Sequence, residues 1–216
     1  MTSKFREPAS GFSHLFGSFV SIIGLVILLV YANSITNFPK LSLIAIIIFG
    51  ISMIALYSAS SIYHLIVSSE KVIYILRKLD HSMIYVLIAG TYTPICLILL
   101  DGNLRWIVFI SIWTLAILGI ILKMVWFNAP RWLSTLFYIV MGWLAVFLIS
   151  PLSKKATLGG IVWLFAGGIA YTIGGIIYAT KWPKIKSKIF GFHEIFHIFV
   201  LIGSFCHYWM VIKYII

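Results

Sequence analysis

Two histidines four residues apart open the last apolar run of the chain, in "GFHEIFHIFV", Gly191 to Val200. At that spacing His193 and His197 share one face of a helix, where two imidazoles reach a single metal ion. His64, closing "SASSIYH", offers a third ligand from a separate segment. Three histidines with an open fourth position describe a catalytic zinc site rather than a closed structural one. Water on such a metal ionises near neutral pH. Asp80, in "LDHSMIY", is placed to hold that water and accept its proton, and Ser60 lies one turn before His64 on the same face, with a hydroxyl for substrate or water. A lone His-x-x-x-His is a weak signal. The third histidine and the aspartate at one depth are what turn it into a site. His81 sits about 100° around the helix from Asp80, so it is expected beside the site or at a helix interface. Glu194 adjoins His193 and is expected to point elsewhere, toward a lysine of the preceding loop. His207 lies about 15 Å deeper than His197 and reads as a hydrogen-bonded interior histidine.

The elements that must position these residues are transmembrane helices. The chain has 216 residues, 62% hydrophobic and only 10% charged, and no water-soluble domain of this size hides so much apolar surface. A spanning helix needs about 20 apolar residues. Seven such runs are present, near Leu15–Ala32, Leu41–Val67, Ser82–Leu100, Leu104–Trp126, Leu133–Ser150, Leu158–Ala179 and Gly191–Ile216. The links are short and rich in turn residues, leaving room for one domain, 1–216, and no second. The basic N-terminal stretch resembles a signal peptide, but its run is long enough to span and "VYANSITNF" is a poor cleavage region, so it reads as a retained first helix. The expected fold is an all-α, integral membrane seven-helix bundle of the cell membrane. By parity, the end of run two and the starts of runs one, three and seven share one face, so His14, His64, Asp80, His81, His193 and His197 converge there.

Charge sets the expected direction. The N-terminus and loops two, four and six carry Lys4, Arg6, Lys71, Arg77, Lys78, Lys123, Arg131, Lys181, Lys184, Lys186 and Lys188, eleven in all, against five on the other face. The bias puts the N-terminus in the cytosol and the C-terminus outside. The net charge of +11 is therefore a topology signal, and nucleic acid is not implied. Cys96 and Cys206 lie inside apolar runs and read as buried free thiols. The glycines of "LGGIVWLFAGGIAYTIGGIIYA" read as close helix packing.

At "SASSIYH", "LDHSMIYVLIAGTYTP", "YIVMGWLAV", "GGIAYTIGGIIYA" and "HEIFHIFVLIGSFCH" the chain resembles the haemolysin III family, the bacterial branch of the progestin and adipoQ receptor group. The resemblance implies seven helices with a cytosolic N-terminus. It also implies a zinc ion held by His64, His193 and His197, with Asp80 binding the zinc water and Ser60 as the serine of the S-x-x-x-H motif. The family's N-terminal pattern is only partly kept: "EPASGFSH" retains Glu7 and His14, expected around the metal rather than on it, but has Ser10 and Ser13 where the family has Asn and Thr.

Three functions compete on this basis. One is a zinc-dependent hydrolase of lipid amide or ester bonds, ceramidase-like in its chemistry. Another is a sensor or regulator of membrane state with structural zinc. The third is pore-forming cytolysis, for which no amphipathic pore-lining helix is evident. The expected partner is membrane lipid; self-association is left open.

Overall fold

The computed structural model describes residues 4–185, 187 and 190–216. Lys186 and Lys188, two of the eleven basic residues counted above, lie outside the described residues. Seven helices of 22 to 30 residues are long and apolar enough to cross a membrane. They are α1 (Pro8–Ser34), α2 (Lys40–Leu65), α3 (Glu70–Pro94, extended by a π-helical turn Ile95–Leu99), α4 (Gly102–Val125), α5 (Arg131–Trp143, continued by a 3-10 stretch Leu144–Leu148 and a last turn Ile149–Leu152), α6 (Leu158–Thr180) and α7 (Phe192–Met210, extended by a π-helical turn Val211–Ile215). No strand occurs among the described residues.

The seven runs and the seven helices correspond, but two helices start earlier than expected. α1 begins at Pro8, whose fixed φ and missing N–H suit a first helical position. Its inward stripe is small and polar: Ser10, Gly11, His14, Gly17, Ser18 and Ser21 are buried, while Phe16, Phe19 and Ile23 face outward. Hydropathy underrates a segment that turns its polar side to the bundle. α3 begins at Glu70 and carries the charged turns through Arg77 and Lys78 before its apolar part.

Six helices close a ring in the order α1, α2, α3, α5, α6, α7, and back to α1; α4 packs outside, mainly on α3. α6 and α7 approach closely because rings sit on glycines from both sides. A Cβ on Gly167 would come within 2.5 Å of the His207 ring, and one on Gly203 within 2.5 Å of Tyr171. The π turn of α3 follows Pro94, which cannot donate to Gly90, and Thr91 and Thr93 turn their hydroxyls back to the Leu87 and Ala89 carbonyls. α5 loses its regular pitch between Gly142 and Pro151. The Tyr92 hydroxyl donates to the carbonyls of Met141 (3.1 Å) and Gly142 (2.6 Å), as the absence of water in lipid demands.

The ring encloses a cavity of about 140 Å³, the space open to the centre of a water molecule. His14, Ser60, Asp80, His193 and His197 border one end, and Ile95, Leu164 and His207 the other. Asp80 and Ile95 are about 22 Å apart along α3 at 1.5 Å per residue. That is about three quarters of a hydrocarbon core. Between the ends the wall is mostly apolar, with Ile84, Leu87, Ile88, Phe165 and Val200. Gly142 and Gly168 also border it, and a Cβ on either would meet no atom within 4 Å, so their missing side chains widen the space.

Candidate metal centre

The last turn of α2 and the first two turns of α7 meet at one end of the ring. There the ring centroids of His64, His193 and His197 form a near-equilateral triangle with sides of 4.6, 5.0 and 5.0 Å. One ligand atom from each lies within 4.8 Å of the others. The Nε2 atoms of His64 and His193 are 3.3 Å apart. Two nitrogens bound tetrahedrally at the usual Zn–N length of 2.0–2.1 Å would be about 3.3 Å apart. His64 and His197 are each only 1% exposed.

The tautomers are set by the N-terminal segment. His64 Nδ1 faces the Glu7 carboxylate, and His197 Nδ1 faces the Ser10 carbonyl (3.3 Å) and the Ser13 hydroxyl (3.3 Å). With Nδ1–H donated outward, each ring keeps a Nε2 lone pair for the interior. Ligating histidines are ordinarily held in this way. The hydrogen bond from His64 holds the Glu7 carboxyl below its usual range. The segment is itself tied down: Glu7 N–H donates to the His64 carbonyl (2.9 Å), and the Ser10 hydroxyl donates to Glu194 Oε1 (2.6 Å). The three rings and their supports therefore fit a divalent metal that takes neutral imidazole, zinc among them.

The remaining residues singled out above fall as follows. Asp80 interacts with Ser60 and His64, and both Ser60 and Asp80 border the cavity beside the histidines. His14 stacks on His197 with centroids 3.6 Å apart and planes 11° apart; neither of its ring nitrogens has a hydrogen-bond partner among the described residues. His81 borders the same cavity despite its angle from Asp80, because the space is wide enough to touch two faces of α3; its ring packs on Phe127 (5.8 Å). Among the described residues Glu194 pairs with no lysine; Lys186 and Lys188 of the preceding loop lie outside them. Glu194 Oε2 accepts from Gly191 N–H (2.7 Å) at the start of α7, and its other oxygen holds Ser10. His207 is buried, but its Nδ1 finds no partner among the described residues; it stacks on Tyr171 at the cavity's far end. Cys96 and Cys206 are free and buried.

Sequence reasoning placed Glu7 around the metal but missed the tethers through Ser10 and Glu194. The Ser10 contact to His197 runs through a backbone carbonyl, which leaves no signature in residue type. Glu194 was legible only as an acid in the first turn of a helix, where it caps the N-terminus. It also missed a buried chain of hydroxyls in which Tyr57 donates to Ser204 Oγ (2.6 Å) and Ser204 pairs with the Tyr171 hydroxyl (2.8 Å), joining α2, α7 and α6.

One consequence is direct. Glu7→Gln keeps the size of the side chain but weakens its hold on His64. We expect it to lower zinc affinity by about 10- to 100-fold, the usual effect of losing such a support. Chelator-dye competition on purified protein would read this. Unchanged affinity would mean that Glu7 does not orient the ring.

Known proteins resemble the chain throughout. A family model described as haemolysin-III related matches residues 2–208. The chain is 40% identical over 211 residues to Hemolysin-3 of Bacillus cereus, covering 98% of this chain and 92% of that one. It is 39% identical over 209 residues to the Hemolysin-3 homolog of Bacillus subtilis (strain 168), covering 97% and 94%. It is also 27% identical over 177 residues to the monocyte to macrophage differentiation factor of Homo sapiens, covering 78% and 69%.

Proposed function

The chain belongs to the haemolysin III family and is a multi-pass membrane protein, and we propose that it is a zinc-dependent hydrolase of lipid amide or ester bonds, with its site near the cytosolic face. The observation that carries this reading is the junction of two features. Three histidines able to hold a metal stand at one end of a long apolar cavity, with an aspartate and a serine beside them. A structural metal needs no such cavity, and an acyl chain fits its lining better than a file of ions does.

His64, His193 and His197 would hold the ion. When bound, it would polarise the substrate carbonyl and make water a stronger nucleophile at neutral pH. The chain's own residues account for the rest. The apolar wall between Ile84 and Val200 takes the acyl chain and excludes water, which fixes the scissile carbonyl at the histidine end. Asp80 accepts the proton of the attacking water, and Ser60 orients the Asp80 carboxylate. His14, buried at 3% exposure with neither nitrogen partnered among the described residues, faces the same space. It is the group available to hydrogen-bond the leaving oxygen or nitrogen.

The test is turnover. Zinc-loaded protein in lipid nanodiscs, given acyl-chain amides and esters in parallel, should release free fatty acid, and metal removal by a chelator should stop it. Tight zinc binding with no release from any of them would favour the regulator. Leakage of dye-loaded liposomes that persists after chelation would favour the pore suggested by the relatives' printed name, Hemolysin-3.

A further inference from the structure

Beside the histidine end, on the outer side of α3, lies a second concentration of charge with no role in the chemistry above. Phe127, in the link between α4 and α5, is 9% exposed. Its ring collects three cations: Lys123 Nζ at 5.2 Å from the centroid, Arg77 Cζ at 5.3 Å and Lys78 Nζ at 5.7 Å. Lys123 is only 7% exposed, and its ammonium donates to the Ser134 hydroxyl at 3.1 Å. Lys78 donates to the Met124 carbonyl at 2.9 Å. Among the described residues no carboxylate lies within 4.0 Å of any of the three; the ion pairs present use Glu7 and Asp101. Ser134 lies in the first turns of α5, a helix with no acidic residue in its first turn and no side-chain cap, so a positive helix end faces the same place.

Three like charges around one aromatic ring, one of them buried, repel one another. A ring quadrupole attracts cations but carries no net charge. An anion with several acceptor oxygens would offset that repulsion. Arg77 offers a planar fork and the two lysines point charges, the pairing that phosphate oxygens take. Trp126 and Trp132, 50% and 59% exposed, flank the cluster, and tryptophans of this kind mark the level of lipid headgroups. We propose that Arg77, Lys78, Lys123 and the start of α5 bind the phosphate of an anionic phospholipid headgroup at the membrane face. Basic clusters at helix ends recognise headgroups through the same chemistry.

Native mass spectrometry of the full chain in detergent, titrated with phosphatidylglycerol and with phosphatidylcholine of the same acyl chains, tests this. The wild type should retain phosphatidylglycerol in preference. Each neutralised charge should weaken that preference about fivefold, in Arg77→Gln/Lys78→Gln and separately in Lys123→Met. The Arg77/Lys78 pair, less buried than Lys123, keeps the test valid if Lys123→Met fails to fold. Lys181→Gln/Lys184→Gln removes as much charge from another loop and should leave the preference in place. If it weakens binding equally, or if the wild type does not discriminate, there is no site. Inorganic phosphate at millimolar concentration separates the sources. Displacement of the lipid would make free phosphate the occupant and overturn the headgroup assignment; failure to displace it supports the headgroup.

Discussion

Alanine in place of His197 should leave a protein that binds zinc at least a hundredfold more weakly than the wild type. A four-ligand site of neutral pH contributes about 10–16 kcal/mol, so one ligand accounts for about 3 kcal/mol, or two decades of affinity. His197 is suited to show the loss, because it is 1% exposed and held through Nδ1 by Ser10. His64→Ala should do as much and also release Glu7. His207→Ala is the control: it too removes a buried imidazole from α7, but at the opposite end of the cavity, and should leave the metal in place. Metal content of gently purified protein, followed by competition with a chelating dye, measures all three. Equal zinc in wild type and His197→Ala would end the metal assignment, and loss of zinc in His207→Ala would show that fold, not ligation, is being read.

The second large effect is expected from Asp80→Asn. Asparagine keeps the shape and the contact with Ser60 but cannot take a proton. If Asp80 is the general base, fatty acid release should fall by about 10²- to 10⁴-fold, while zinc content and the elution profile of the protein stay as in the wild type. A variant that loses its metal would instead make Asp80 part of the ligand set. One that keeps full turnover would remove it from the mechanism.

Much of this arrangement was visible in residue order. Span parity alone puts His64, Asp80, His193 and His197 at one end of the bundle, and the structure places them together there. What residue order concealed has physical reasons. The start of α1 was hidden because a membrane bundle inverts the usual pattern: Ser10, His14 and Ser18 face inward, so a window that rewards apolar residues passes over them. The cavity was hidden because it is made partly of what is absent, the side chains of Gly142 and Gly168. The interior hydrogen bond expected for His207 is missing at Nδ1 among the described residues, where the ring lies against Gly167 of α6. The cation cluster was hidden because Arg77, Lys78 and Lys123 look like ordinary loop charges until one ring gathers them.

The Ser10–Glu194 and Ser13–His197 bonds join the first helix to the last. During synthesis α1 and α2 emerge long before α7, and domains fold as their segments become available. Until the final hydrophobic segment enters the bilayer, the barrel of helices has an open seam and residues 10, 14 and 64 lack the surfaces that enclose them. Maturation of the site is therefore a terminal event in biogenesis, and any chain cut short before residue 193 should be recognisable to quality control by a polar stripe left facing acyl chains.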